Sequence, residues 1–221
     1  MTKIDFNDQY VQGDAFKKLF GIHHTFDLVF TSPPDLSQTE FGKKQTSEYQ
    51  DWQRKSMTLL DNITKDDGHI VICQTDRKVN GEVLPNHITY YNQLTKHHWK
   101  LKDYKPVFRT PNIETKNLYK FNYQHLMIFG KKGSFARKGD ILKQIYIDHQ
   151  VEKDGQMVWT PEFCKWIINA LTKPGDLICD PFAGFGPVLW ASKELDRRYF
   201  GVELIDKYYD PTFAMFRERL I

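Results

Sequence analysis

Cysteine is scarce in this sequence, and none of it follows a pattern typical of disulfide or metal chemistry. The chain has 221 residues and three cysteines, Cys73, Cys164 and Cys179, which lie far apart within apolar runs. An odd number of thiols without metal-ligand spacing is typical of core cysteines in a reducing compartment. We therefore predict no disulfide framework and no metal site.

Long apolar stretches, internal repeats and Gly/Ser-rich linkers are also missing. No apolar run approaches the ~18 residues that a membrane-spanning helix needs, and residues 1–6 lack the apolar segment of a signal peptide. We therefore expect no membrane association and a cytoplasmic location. A chain of this length can bury its own core without disulfides, and we predict a single domain over residues 1–221.

Charge of one sign is not in large excess. The 31 basic and 28 acidic residues give a net charge of +3, which is only weak evidence for a polyanionic partner. Aromatic residues are abundant, at 14% of the chain. They suit either base stacking or core packing, and composition alone does not distinguish these uses.

Short apolar runs alternate with segments of helical periodicity, which predicts an α/β fold around a mostly parallel sheet. We expect strands at 9–12, 27–31, 69–74, 102–108, 124–130, 176–180 and 199–203, and helices at 48–63 and 85–98, from Pro161 to about residue 172, and from Pro187 and Asp210. Ser47 and Gln50 form a capping-box pattern at the start of the first helix.

A glycine-rich turn follows one of the predicted strands. It reads Asp180-Pro-Phe-Ala-Gly-Phe-Gly and leads into a helix, and Glu203 ends the next strand. Gly184 and Gly186 permit a tight turn and a close approach of the backbone to a ligand, while an acidic residue about 20 positions on binds ribose hydroxyls in nucleotide-binding folds. Leu189 replaces the third glycine of the dinucleotide fingerprint, which favours an adenosine without phosphates.

A second motif, Thr31-Ser32-Pro33-Pro34-Asp35, follows another predicted buried strand. Two prolines fix the backbone, and their carbonyls stay available as acceptors. With the Ser32 hydroxyl, such a turn can hold an aromatic amine by its two N–H bonds. Taken alone, the motif could equally be a turn that ends a strand.

Together the two motifs resemble those of the S-adenosylmethionine (SAM)-dependent DNA amino-methyltransferases. The proline motif resembles their catalytic motif and precedes the cofactor motif, as in the circularly permuted β class. The resemblance implies a Rossmann-like methyltransferase fold with about seven mostly parallel strands and helices on both faces. It also implies SAM as cofactor, bound through Asp14, Thr31, Thr160, Asp180, Phe182, Gly184, Gly186, Glu203 and Leu204.

The resemblance implies DNA as partner and a base that is flipped out of the duplex. Ser32 and the Pro33 carbonyl would accept hydrogen bonds from the exocyclic amine, with Pro34 and Asp35 completing the catalytic group. Serine at the first motif position favours cytosine N4, with adenine N6 or RNA as alternatives. No cysteine follows a proline, which argues against cytosine C5 chemistry.

Asp35 departs from the family pattern, which has Tyr or Phe there to stack on the base. The carboxylate could accept from the amine or take up its proton, with Phe41 or Tyr49 stacking instead. Otherwise the chain is a catalytically silent nucleic-acid-binding protein. No separate recognition domain fits, so we expect DNA contacts from Phe41, Arg109, Lys131, Lys132 and Arg137, a short target and a possible homodimer.

Overall fold

The computed structural model describes Phe6, 8–39, 46–108, 123–132, 150–153 and 156–217. Seven strands form its central sheet. From one edge to the other they are β1 (Gln9–Gln12), β11 (Arg198–Glu203), β10 (Leu177–Asp180), β2 (Phe26–Thr31), β3 (Thr64–Gln74), β7 (Tyr123–Gly130) and β6 (Lys100–Phe108). The first five are parallel to one another, and the last two are antiparallel to their neighbours.

The five parallel strands all end at one edge of the sheet, which we call the carboxyl edge. Because β7 runs in the opposite direction, its first residues also lie there, and His125 pairs with Gln74. Side chains at the carboxyl ends of β2, β10 and β11 therefore meet, although their sequence positions are far apart. Ligands of open α/β sheets bind at this kind of edge.

Helices cover both faces of the sheet. They are α1 (Ala15–Lys18), α2 (Thr46–Ile63), α3 (Asn86–Lys96), α4 (Pro161–Leu171), α5 (Pro187–Glu194) and α6 (Ala214–Arg217). The apolar sides of α2 and α3 pack with Val29, Ile70 and Ile72, whereas those of α4 and α5 pack with Leu28, Phe30 and Val71. Residues that alternate along β2 and β3 thus supply two cores, since successive side chains of a strand point to opposite faces.

The predicted fold class is confirmed, as are the seven sheet strands and most helices. Most ends shift by one or two residues, but β3 begins at Thr64 instead of His69. All three cysteines are free and buried. Within the described segments, no helix is long and apolar enough to span a membrane. Phe213 and Phe216, near the C-terminal end of the described residues, are both buried.

Two local predictions were wrong. Ser47 does not cap α2, because the helix already includes Thr46, and the Ser47 hydroxyl donates to the Glu48 carboxylate over 2.7 Å. The last helix begins at Ala214 instead of Asp210. The Asp210 carboxylate accepts from the backbone N–H groups of Thr212 and Ala214, each over 3.1 Å, and so holds a turn before that helix.

Two small hairpins were missed. One joins β4 (Arg77–Val79) to β5 (Glu82–Leu84), and the other joins β8 (Gln150–Lys153) to β9 (Gln156–Trp159). Asn80 and Gly81 form the first turn with φ values of 51° and 87°. An Asn-Gly pair is the usual signature of such a two-residue turn, so this hairpin had a local signal in the sequence.

Candidate active site

One buried hydrogen bond joins the two motifs. Thr31 is the last residue of β2, and its hydroxyl donates to the Asp180 carboxylate at the end of β10 over 2.7 Å. Burial raises the pKa of Asp180 to about 7, although hydrogen bonds from Thr31 and from the Phe182 backbone act to lower it. The proline motif and the glycine-rich turn consequently start side by side at the carboxyl edge.

The glycine-rich turn leaves space for a ligand beside Gly184. Gly184 and Gly186 have φ values of 55° and 79°, in the left-handed region. A Cβ atom at Gly186 would approach the Phe213 ring to 2.9 Å, whereas one at Gly184 would meet nothing within 4 Å. Gly186 is therefore required by packing, while the open side of Gly184 fits the close backbone approach that an adenosine cofactor needs.

Glu203 faces this turn from the end of β11. Its carboxylate accepts from the backbone N–H groups of Gly184 and Ile205, each over 2.7 Å. Burial raises the pKa of Glu203 in spite of these hydrogen bonds. A carboxylate has about four lone-pair sites, so the two oxygens can also accept from ribose hydroxyls.

Asp14 and Leu204 lie next to Glu203. The Gly13 N–H donates to the Glu203 carbonyl over 2.8 Å, which aligns the end of β1 with that of β11. Asp14 then caps α1 by accepting from the Phe16 N–H over 2.9 Å. Leu204 is 63% exposed, and it offers an apolar surface at this edge.

The backbone carbonyls of Pro33 and Pro34 each accept a hydrogen bond from a side chain of a neighbouring element. Gln74, at the end of β3, donates from Nε2 to the Pro33 carbonyl, and its Oε1 accepts from the Thr75 N–H over 2.7 Å. The Tyr49 hydroxyl of α2 donates to the Pro34 carbonyl over 3.0 Å. A carbonyl oxygen has two lone pairs, so the Pro33 oxygen keeps one acceptor position.

Buried polar side chains of α2 and α3 support this turn. The Gln53 amide donates to Asn86 over 2.9 Å, and the Asn86 amide donates to the Thr75 carbonyl over 3.0 Å. Tyr49, Gln53, Asn86 and Tyr90 are all fully buried. Sequence patterns did not reveal this network, since period-based reading assigns polar residues to a helix surface.

Asp35 closes the turn that follows the prolines. Its Oδ1 accepts from the backbone N–H and hydroxyl of Ser37 over 2.8 and 2.6 Å, and its own N–H donates to the Gln38 side chain over 3.0 Å. Oδ2 lies 3.4 Å from Nη1 of Arg77 on β4. Asp35 and Gln38 thus form a capping box for a short 3-10 helix, Leu36–Gln38.

Tyr49 is not placed to stack on a base. Its side chain is fully buried and its ring stacks on Trp52, with centroids 5.9 Å apart. The hydroxyl is occupied by the Pro34 carbonyl. The prediction that Tyr49 replaces the missing aromatic residue is therefore wrong, and the other candidate, Phe41, lies outside the described residues.

Thr160, Trp159 and Phe182 lie near the cofactor motif, and each has a structural contact there. Thr160 caps α4 and accepts from the Phe163 N–H over 3.4 Å. Trp159 stacks on Phe30 with centroids 5.0 Å apart and belongs to the core. Phe182 lies in the glycine-rich turn, 5.4 Å from the Trp52 ring.

The structure does not bring Lys131 and Lys132 to the catalytic motif. They follow β7 at the opposite edge of the sheet, where Gly130 pairs with His69. Lys131 lies 2.7 Å from the Asp61 carboxylate, and Lys132 lies 3.7 Å from that of Asp66. The DNA contacts expected of Lys131 and Lys132 stay a prediction. Arg109 and Arg137 lie outside the described residues.

Comparison with known proteins agrees with this geometry. Residues 26–214 match the family model of the N6/N4 methylases, whose description is DNA methylase. The chain belongs to the N6/N4 DNA methylase family. SAM is the methyl donor of this family. In this chain the catalytic motif precedes the cofactor motif, which is the circularly permuted order.

Two relatives of the N6/N4 methylase chain are bacterial type II methyltransferases. M.BglII of Bacillus subtilis is 24% identical over 246 residues, which cover 92% of this chain and 67% of that protein. M.HinfI of Haemophilus influenzae is 25% identical over 252 residues, covering 97% and 69%.

Solved structures share the fold of this N6/N4 methylase. TTHA0409 of Thermus thermophilus, described as a DNA modification methylase and complexed with SAM, superposes with a TM-score of 0.72 at 21% identity. That match covers 96% of this chain and 92% of TTHA0409. The cytosine-N4-specific PvuII methyltransferase has the same TM-score at 19% identity, with 96% and 86% covered.

Proposed function

We propose that this SAM-dependent DNA methyltransferase modifies the N4 amino group of a cytosine that has left the duplex. The observation that carries the proposal is the Thr31–Asp180 hydrogen bond, which starts Ser32-Pro33-Pro34 directly beside the glycine-rich turn. Serine at the first motif position supports cytosine. The cytosine-N4-specific PvuII enzyme shares the fold, which is consistent with that choice.

The methyl acceptor is a poor nucleophile, because the lone pair of an exocyclic amine is delocalised into the ring. SAM, when bound, supplies an electrophilic methyl group. Ser32 and the Pro33 carbonyl accept hydrogen bonds from the amine, which draws the nitrogen towards tetrahedral geometry and holds it in line for attack. The proton that the nitrogen loses on methylation passes to water. Gln74 donates to the Pro33 carbonyl and Tyr49 to the Pro34 carbonyl, so both proline peptides, and with them the Pro33 acceptor, are held in place.

The cofactor side of the site is assigned to the ends of β1, β10 and β11. Gly184 would admit the adenosine, and Glu203 would accept from the ribose hydroxyls while Asp14 and Leu204 approach the adenine. Thr31, Thr160, Asp180, Phe182 and Gly186 shape the remaining wall. Each of these assignments rests on placement at the carboxyl edge.

We assign Asp35 a positioning role instead of base contact. Its Oδ1 accepts from Ser37, its Oδ2 faces Arg77, and together they fix the exit of the proline turn. This role explains a carboxylate where the family has an aromatic residue. It also answers the main argument for a catalytically silent nucleic-acid-binding protein, which was that Asp35 replaces the aromatic residue needed for activity.

Adenine N6 is the second candidate, because the matching family model includes both N6 and N4 methylases. Target recognition is assigned to short contacts from the catalytic domain itself, with DNA as substrate. The homodimer expected from the sequence stays a prediction.

The test is incubation with labelled SAM and unmethylated DNA, followed by mass spectrometry of the nucleosides. N4-methylcytosine is expected, and Ser32→Ala should reduce its rate by about 10²-fold, as for loss of a transition-state hydrogen bond. Ser47→Ala is the matched control, since Ser47 is exposed on α2. N6-methyladenine would overturn the base assignment, and SAM binding without any product would overturn the activity.

A further inference from the structure

A compact cluster of two histidines and one aspartate lies beside the catalytic turn. Nδ1 of His87 is 2.7 Å from Oδ1 of Asp76, and Nε2 of His125 is 3.3 Å from Oδ2 of the same carboxylate. The two imidazole rings stack with centroids 3.8 Å apart. Asp76 follows β3 two positions after Gln74, so the cluster adjoins the residue that binds the Pro33 carbonyl.

We propose that Asp76, His87 and His125 bind one divalent transition-metal ion of the zinc type, contrary to the sequence-based prediction of no metal site, which rested on the cysteines alone. Each residue offers one ligand atom, and these atoms lie within 4.8 Å of one another. Two imidazoles and a carboxylate are a donor set that zinc uses, at metal–ligand distances of about 2.0–2.2 Å, with a fourth position left for water. The site is independent of the proposed cytosine methylation.

His125 supplies the second observation that points to a ligand. Its side chain is 5% exposed, and among the described residues its Nε2 atom has no well-aligned hydrogen-bond partner, only the 3.3 Å contact with the Asp76 carboxylate. Buried polar nitrogens are rarely left in this state. The other ring nitrogen, Nδ1, lies 2.7 Å from the Tyr104 hydroxyl, and a hydrogen bond on the second nitrogen is the usual support of a metal-bound histidine.

Metal binding would separate the stacked rings. Imidazole lone pairs lie in the ring plane, and the two planes are only 11° from parallel, so one ion cannot lie in both planes at once. His125 is held in β7 by its pairing with Gln74 and by Tyr104. His87 lies in the first turn of α3 with its side chain 26% exposed, so its ring is the one that turns, and its exposed side is where the ion enters.

The position of the ligands indicates what the ion does. Asp76 precedes the β4–β5 hairpin and His87 follows it, while His125 belongs to the central sheet. One ion would therefore fasten both ends of the hairpin to the sheet. Arg77 of that hairpin faces Asp35. An ion that restrains the hairpin would therefore also restrain the turn after the catalytic prolines.

The experiment uses the full chain without a polyhistidine tag, stripped of metal by a chelator and titrated with Co²⁺ alone and with Zn²⁺ alone. We expect one Co²⁺ per chain, with the visible absorption of a four-coordinate ion, and a Zn²⁺-dependent rise in Tm. His87→Gln and His125→Gln should weaken binding at least tenfold, and Tyr104→Phe about tenfold through loss of the outer hydrogen bond.

Two further variants make the result decisive. His97→Gln is the matched control, because His97 pairs with Asp61 over 3.0 Å elsewhere and is not part of the cluster. His87→Cys should keep the ion and add a sulfur-to-cobalt charge-transfer band. That band would not appear if residue 87 did not coordinate the ion. Absence of one-to-one binding by the parent chain, or equal binding by His87→Gln in a folded state, would overturn the site.

Discussion

Asp35 is the residue at which this chain departs most clearly from its family, and the structure explains the difference by a cap. An aromatic residue at this position would lose the hydrogen bonds to Ser37 and the contact with Arg77. In this chain, the turn after Pro34 is therefore held by the Asp35 carboxylate.

Asparagine and alanine at position 35 separate a positioning role from a catalytic one. Asn is a good N-cap, so Asp35→Asn should keep most methyl transfer, whereas Asp35→Ala should lose about 1 kcal/mol of local stability and a large part of kcat. Steady-state kinetics and urea unfolding of both variants measure this. Equal loss of activity in the two variants would instead make the carboxylate itself necessary for the reaction.

Asp180 gives the free protein a pH dependence with a definite sign. Its folded-state pKa is about 7, above the usual value of 3.8. The folded protein thus holds a proton that the unfolded chain has released, and the stability contribution falls as pH rises from about 4 through 7. Urea unfolding should show the parent losing stability relative to Asp180→Asn over this range; a constant difference would contradict the raised pKa.

At the scale of elements, Tyr49 of α2 supports the proline turn, and the glycine-rich turn after β10 forms the proposed cofactor side of the site. Tyr49→Phe leaves the Pro34 carbonyl without its donor, which costs about 1–3 kcal/mol of unfolding free energy. We expect kcat to fall with little change in the dissociation constant of SAM. Tyr91→Phe, exposed on α3, should change neither quantity, and a parallel loss of SAM binding in Tyr49→Phe would argue for general disruption.

The two glycines of the turn should respond differently to alanine. At Gly186 the Cβ clashes with Phe213 and the protein loses stability, whereas at Gly184 the Cβ projects into open space. Gly184→Ala should therefore weaken SAM binding more than it destabilises the fold. Gly21→Ala is the matched control, since Gly21 has a φ of 75° and equally open surroundings away from the carboxyl edge. Calorimetric SAM titration and thermal unfolding measure both effects.

The sequence predicted those parts of the fold and site that have local signals. Strand ends followed by Pro-Pro or by a glycine-rich turn located Ser32, Asp180 and Gly184 correctly at the carboxyl edge. Two local signals were overlooked, the capping box of Asp35 with Gln38 and the Asn80-Gly81 turn. The remaining contacts join residues far apart in the sequence, and no periodic pattern in the sequence indicates them.

Gln74 with Pro33, and Asp76 with His125, illustrate such contacts. The first depends on the parallel pairing of β2 with β3, and the second on the antiparallel register of β7 against β3. Register of this kind is fixed by packing across the sheet, so a single sequence does not reveal it.

At the scale of the whole molecule, two of the residues expected to contact DNA lie at the edge of the sheet opposite the catalytic motif. Lys131 and Lys132 are paired with Asp61 and Asp66 at the edge opposite the site. Replacing both lysines by Gln should leave DNA affinity and its salt dependence unchanged, while stability should fall mainly through Lys131, whose ion pair with Asp61 is largely buried. A smaller salt slope in DNA-binding titrations would mean that this edge contacts phosphates after all.

The Thr31–Asp180 hydrogen bond also bears on how the protein folds. It joins residues 149 positions apart, and β10 reaches β2 only after that long segment of chain has been closed. Closing such a loop costs entropy before the contact stabilises anything, and non-local pairing of this type is slow. The capacity to bind SAM should therefore appear late in refolding, together with the last cooperative step, and not with the early formation of local hairpins and helices.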